Sequence, residues 1–194
     1  MTIDDFLNSH PHSHDEVFSN PSPVPEEPGV YGWWFRRIPR AIDVSGCRHR
    51  DRLTLLYGGI SPNRPPTNGR PPSRQTLRTR IRYHYHGNAE GSTLRKTLGV
   101  LLADELGIEL RTTGSGKRLT FCRDGEDKLS AWMAESALVA WFPRSEPWLL
   151  EDQIIATVDL PLNIQGNANN PFYAELRRLR SDAALKAQQL PPCP

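Results

Sequence analysis

The chain has no run of about 18 apolar residues, so no segment could cross a bilayer as a helix. Its N-terminus lacks the basic start and apolar stretch of a secretory signal, and a soluble, cytoplasmic protein with no membrane partner is expected. Cysteine is scarce: Cys47, Cys122 and Cys193 are widely spread, odd in number and without a CxxC pair. That spacing indicates neither a disulfide framework nor a structural zinc site, so all three are expected as reduced thiols. Lysine is scarce too, since twenty of the 24 basic residues are arginine. No internal repeat is present, and 194 residues suit one compact domain.

Charge is abundant but unevenly placed. Residues 1–35 carry six acids and no lysine or arginine, giving −6, whereas residues 36–82 carry twelve arginines against Asp43 and Asp51, giving +10. Residues 83–194 sum to −2, and the three segments together give the net +2. The planar fork of arginine suits phosphate oxygens and guanine edges better than a lysine point charge does. A polyanion partner is one reading of this segment; a solvated arginine-rich loop is the other.

Residues 1–28 hold five of the eighteen prolines, the HPHSH stretch at His10–His14 and almost no apolar periodicity, and read as a disordered acidic tail. Its three histidines could bind a metal, although a stretch without a role is the plainer reading. Val30–Phe35 and Leu53–Ile60 are aromatic and β-branched runs and predict strands. The 17 residues between them, 36–52, are long for a hairpin loop and form an arginine-rich insertion. Pro62–Pro72 is a proline-rich loop, after which Ser73 is the expected N-cap of a helix over 74–85 with Leu77 and Ile81 inward. A packing helix is expected over 93–106, stopped by Gly107, then a hairpin around Gly114–Gly116, a short helix over 127–135 and a third strand over 137–142. Helices from Ser145 to Pro161 and over 171–188 close the chain. The expected class is α+β: a small, mostly antiparallel three-stranded central sheet flanked by helices, spanning 29–190 behind the flexible N-terminal tail.

If the first two strands close symmetrically, Phe35 lies opposite Leu53 and Tyr31 opposite Tyr57, so two phenols converge at the open end of the hairpin. Gly29, Gly32, Gly58 and Gly59 are unusual in strands unless something must come close. An ordinary aromatic cross-strand pair is the simpler alternative. Arg80 and His84 share one face of the next helix with Leu77 and Ile81, and an inward arginine requires an anion. Trp148, Glu151, Ile155 and Val158 form one stripe, which puts Glu151 in an apolar seam where either an arginine or a metal must satisfy it. Asp152 faces away. Asn163 stands in a loop, where asparagine commonly caps or turns.

Together, Gly29-Val30-Tyr31, Tyr57-Gly58-Gly59, the Leu77/Arg80/His84 helix set, Glu151 and Asn163 resemble the motifs of the GIY-YIG nuclease superfamily over residues 29–165, with spacing nearest its restriction-enzyme branch. Val30 and Gly58 depart from the isoleucines of the two name motifs, and the 36–52 insertion is the larger departure. The resemblance implies a metal-dependent endonuclease that hydrolyses DNA with Mg²⁺ or Mn²⁺ held by Glu151. Tyr31 is then the general base with His84 as its rival, Arg80 meets the scissile phosphate, Tyr57 and His84 orient water or phosphate, and Asn163 fixes the Glu151 region or touches the DNA backbone. Arg36, Arg37, Arg40, Arg48, Arg50, Arg52, Arg64, Arg70 and Arg74 would line a DNA groove, with Arg78 and Arg82 as further phosphate anchors. A non-catalytic nucleic-acid-binding module on the same fold is the alternative, and a double-strand break would call for a homodimer or two visits.

Overall fold

The computed structural model describes residues 2–39, 42–114 and 116–193. Among these, α1 (Ile3–Leu7) and α2 (His14–Val17) precede β1 (Gly29–Phe35), the short β2 (His49–Arg50) and β3 (Leu53–Ser61). Then come α3 (Leu77–His86), α4 (Thr93–Leu101), α5 (Ala103–Leu106), the hairpin of β4 (Arg111–Thr113) and β5 (Arg118–Thr120), and α6 (Cys122–Ser136). The chain closes with β6 (Ala137–Pro143), α7 (Pro147–Thr157) and α8 (Tyr173–Gln189).

The α+β class holds, but the main sheet has four strands among the described residues, in the antiparallel order β2-β3-β1-β6, rather than the expected three. The additional strand β2 spans two residues, too short to leave a periodic signal. Every residue of β1 and β3 is buried because both sheet faces are covered. Tyr31, Trp33 and Phe35 point into a core shared with α3, α4 and α6, while Val30 and Trp34 point into a second core with α1 and α7. Each such large side chain contributes roughly 1.5–3 kcal/mol relative to exposure.

The register departs from symmetric closure. Phe35 pairs with Thr54 and Trp34 with Leu55, then Trp33 pairs with Tyr57 and Tyr31 with Gly59. Leu56 is skipped as a β-bulge, so Leu56 and Tyr57, although consecutive, both join the core on the α3 side. Tyr31 therefore faces Gly59, not Tyr57. A side chain at Gly59 would overlap the Tyr31 ring, its Cβ falling 2.7 Å from the phenol oxygen. Gly32 is filled from the other face, where Phe6 would come within 2.8 Å of an added Cβ.

That contact corrects the reading of the first 28 residues as a free tail. Phe6, Val17 and Val24 are buried, and His12 bridges to Val139 on the outer edge of β6. These scattered apolar residues have no common period, because each fills a separate notch. The same segment starts α3: Glu27 and Pro25 carbonyls accept from the Leu77 and Arg78 amides at 2.9 and 3.2 Å. Thr76, rather than Ser73, is the N-cap. In α7 the buried stripe is Pro147, Leu150 and Ile154, one step round from the stripe expected from sequence.

Cys122 and Cys193 form a disulfide across 71 residues, in place of the expected free thiols. The Cys193 amide donates to Thr112 O at 2.8 Å and Arg111 Nη1 donates to Pro191 O at 2.9 Å, which returns the chain end to the start of α6. Spacing along the chain carries no trace of such a return. Cys47 is a free, buried thiol. No helix among the described residues is long and apolar enough to cross a membrane.

Candidate active site

The open end of the β1–β3 hairpin, α3, α7 and the segment after it enclose a cavity of about 270 Å³. Tyr31, Tyr57, Arg80, Glu151 and Asn163 line it, with Gly58 and Gly59 as part of its floor and Thr93 and Gln165 on its wall. Five of the six expected catalytic residues thus converge; His84 lies behind them, fully buried, against the rings of Tyr31 and Tyr57 and within hydrogen-bond distance of the Tyr31 hydroxyl.

The Tyr31 hydroxyl is 2.7 Å from His84 Nε2 and accepts from Arg80 Nε at 3.3 Å. Arg80 Nη1 donates to Gly91 O at 2.9 Å, which fixes the guanidinium across the cavity wall. His84 Nδ1 is 2.7 Å from Ser92 Oγ, and that oxygen also caps α4 by accepting from the Arg95 amide at 3.1 Å. The relay Tyr31–His84–Ser92 is therefore anchored on a helix end. Ser92 is not singled out by sequence reasoning; its place just before an apolar-periodic helix is the available signal, and that signal speaks only of capping.

Burial pushes the Tyr31 phenol above its ordinary range despite the opposing charge of Arg80, and it pushes Tyr57 up as well. The same burial, with Arg80 and Arg95 nearby, holds His84 well below the usual imidazole value. The resting relay is accordingly neutral, a phenol, an uncharged imidazole and a hydroxyl, and the Tyr57 phenol beside it is neutral as well. The fixed positive charge among them belongs to Arg80.

Glu151 is raised to about 7, first by burial and then by its neighbour Asp152, with Arg64 only partly opposing. Arg64 forms its ion pair with Asp152 and not with Glu151. A half-buried carboxylate on a cavity wall with no paired arginine fits a cation site, and Glu151 is the residue that would hold the metal. Asn163 is placed differently from either expectation: its Oδ1 accepts from the Gly58 amide at 2.9 Å and its Nδ2 donates to Gly58 O at 2.8 Å. It acts as a side-chain surrogate for a neighbouring strand and clamps the stretch that carries Tyr57 and Gly59.

The described arginines of the insertion lie at the closed end of the hairpin, which is four residues along β1 from Tyr31. Arg37 pairs with Glu105 and Glu135, and Arg50 donates to the Ser9 and Leu7 carbonyls while covering Trp34. Arg78 is engaged by Val24 O and Glu26, and Arg82 lies over Phe18. Arg36, Arg48 and Arg52 are exposed, Arg70 and Arg74 are exposed on the loop before α3, and Arg40 lies outside the described residues. Sequence reasoning missed a second cationic face, where Lys96, Arg177 and Arg180 line a groove that shares Ile164 with the cavity.

Two phenols, a fixed guanidinium and an unpaired carboxylate lining one cavity are groups suited to holding a phosphate and activating a water beside it. The family model of the GIY-YIG catalytic domain matches residues 29–182, well over half of the chain. The protein belongs to that family and is of nuclease type. No curated protein and no solved structure matches it.

Proposed function

We propose that the cavity hydrolyses DNA phosphodiester bonds with one divalent cation, Mg²⁺ or Mn²⁺, held at Glu151. The observation that carries this reading is the convergence of Tyr31, Arg80 and Glu151 on one cavity with His84 directly behind the Tyr31 oxygen. Bound at Glu151, the cation supplies counter-charge to the phosphate and to the departing 3′ oxygen. Arg80 orients the scissile phosphate with the guanidinium nitrogen left free by Tyr31 and Gly91. Tyr31 receives the proton of the attacking water as its own hydroxyl proton passes to His84 Nε2, in the tautomer whose Nδ1–H donates to Ser92 Oγ. The step needs His84 to become cationic, and a phosphate docked on Arg80 removes part of the repulsion that keeps it neutral. Tyr57, neutral at all working pH, donates to water or phosphate. Asn163 acts by positioning β3.

The DNA backbone is read here as crossing Arg64, Arg70 and Arg74 on one side of the cavity and Lys96, Arg177 and Arg180 on the other, with Arg36, Arg48 and Arg52 at most peripheral. One active site cuts one strand, so duplex breaks would take two copies or two visits. Whether the substrate is a specific duplex site or an unusual structure follows from the DNA tested. A cytoplasmic setting, expected from the sequence, would hold Cys122 and Cys193 reduced.

The deciding experiment is cleavage of supercoiled plasmid and of a labelled single strand, with Mg²⁺, Mn²⁺ or EDTA, by wild type, Tyr31→Phe and Glu151→Ala. Metal-dependent cutting that falls by about 10²-fold or more in both variants is expected. Salt-sensitive binding without cutting on any substrate would instead assign the chain to non-catalytic nucleic-acid recognition.

A further inference from the structure

The N-terminal histidine stretch is built as a site. His10, His12 and Glu16 each direct one ligand atom into a space where all three lie within 4.8 Å of one another. His12 Nδ1 and Glu16 Oε1 are 3.4 Å apart, close to the edge of about 3.3 Å that a tetrahedral ion with bonds of about 2.0 Å requires. His12 Nδ1 is buried and accepts or donates no hydrogen bond.

Each ligand is held by contacts that have nothing to do with a metal. The His12 backbone exchanges two bonds of 2.9 Å with Val139, and its ring stacks on Trp141 at 4.4 Å. Glu16 spends its Oε2 on the Ser13 amide and hydroxyl, both at 2.7 Å, and so leaves Oε1 turned toward His12. Buried Pro11 separates the two histidines, and Arg50 holds the Ser9 carbonyl just before His10 at 2.8 Å. None of the three residues lines the catalytic cavity.

We propose that His10, His12 and Glu16 form a zinc site within the N-terminal segment where it runs along the edge of β6, with water completing the coordination. Two imidazoles and one carboxylate select a borderline transition ion over Mg²⁺, which favours oxygen ligands and keeps its water. The ion would sit beside the His12 ring stacked on Trp141, the β6 residue paired with Tyr31, and would fix the conformation of residues 10–16 against that strand. The inference is independent of the nuclease reading.

The test is calorimetric titration of the untagged, metal-free full chain with Zn²⁺ in excess Mg²⁺, for wild type, His10→Ala, Glu16→Gln and Glu151→Gln. One equivalent should bind wild type and Glu151→Gln alike, with affinity at least about tenfold weaker in His10→Ala and Glu16→Gln. His10 is exposed, and the amide oxygen introduced by Glu16→Gln can still accept from Ser13, so both variants should retain the wild-type circular dichroism. Absence of zinc binding in wild type, equal binding in His10→Ala and Glu16→Gln, or loss confined to Glu151→Gln would each overturn the assignment.

Discussion

Glu151 sits where charge is costly and partners are missing, and that sets a conflict between stability and chemistry at one side chain. Its folded pKa of about 7 lies above the ordinary carboxylate value of 4.5, so the folded state prefers the protonated form. Relative to a permanently neutral residue, the wild type has no penalty below about pH 4.5, is progressively destabilised between about pH 4.5 and 7, and carries the full, constant penalty above that. The limit is roughly 3 kcal/mol, reduced by solvent screening because the side chain is only partly buried. Glu151→Gln should therefore melt above wild type at pH 8.5 in EDTA and together with it near pH 4, while cutting nothing at either pH. Cleavage by wild type at limiting Mg²⁺ should rise with pH through about 7 as the carboxylate ionises. At this scale the sequence was informative: Tyr31, Tyr57, Arg80 and Glu151 were each legible from their motif spacing. What it left open was depth. His84 stands behind Tyr31 instead of beside it, and the order of two groups along a line into the protein is decided by packing against Ser92 and Arg95, which no spacing records.

Strand β3 is the element on which the site depends, because its bulge and its glycine pair set where both phenols point. Gly59→Ala places a methyl group on the Tyr31 ring, and Asn163→Ala leaves both polar groups of Gly58 without their partner. Removing the clamp should cost about 1–3 kcal/mol. Gly59→Ala should lower kcat about 10²-fold with Tm changed much less, since displacement of the reacting group is felt before the fold is. Thermal melts beside single-turnover cleavage separate the two effects; a Gly59→Ala enzyme with unchanged kcat would show that the Tyr31 position does not matter. Element by element, β1, β3, β6 and the helices α3, α4, α7 and α8 were readable from their apolar runs and stops, whereas β2 was not, the helix expected over 127–135 runs over Cys122–Ser136, and the one expected over 93–106 is divided into α4 and α5. The bulge at Leu56 was not readable, because alternation in a strand buried on both faces has no polar half to betray a skipped residue. In α7 apolar residues lie all round the helix, so the sequence did not single out the face of Pro147, Leu150 and Ile154.

At the scale of the whole molecule, the parts that escaped sequence reading are those that join distant segments: the N-terminal segment over Gly32, the arginines engaged by backbone carbonyls, and the Cys122–Cys193 bond. A closed loop of this length should contribute roughly 4 kcal/mol by restricting the unfolded chain. Dithiothreitol, or Cys193→Ser, should lower Tm by several degrees with the far-ultraviolet circular dichroism of the native state retained. An unchanged Tm on complete reduction would show that the bond contributes nothing.

The same bond divides the proposed catalytic set by covalent topology. Glu151 and Asn163 lie inside the ring that Cys122 and Cys193 close, whereas Tyr31, Tyr57, Arg80 and His84 lie on the open chain before it. A protease nick in the exposed turns around Gly166, between α7 and α8, would open the ring without parting the molecule. The nicked enzyme should migrate as one chain on a non-reducing gel and as two after reduction, with Glu151 on the same peptide as Tyr31 and Tyr57 and the α8 fragment held to it through Cys122–Cys193.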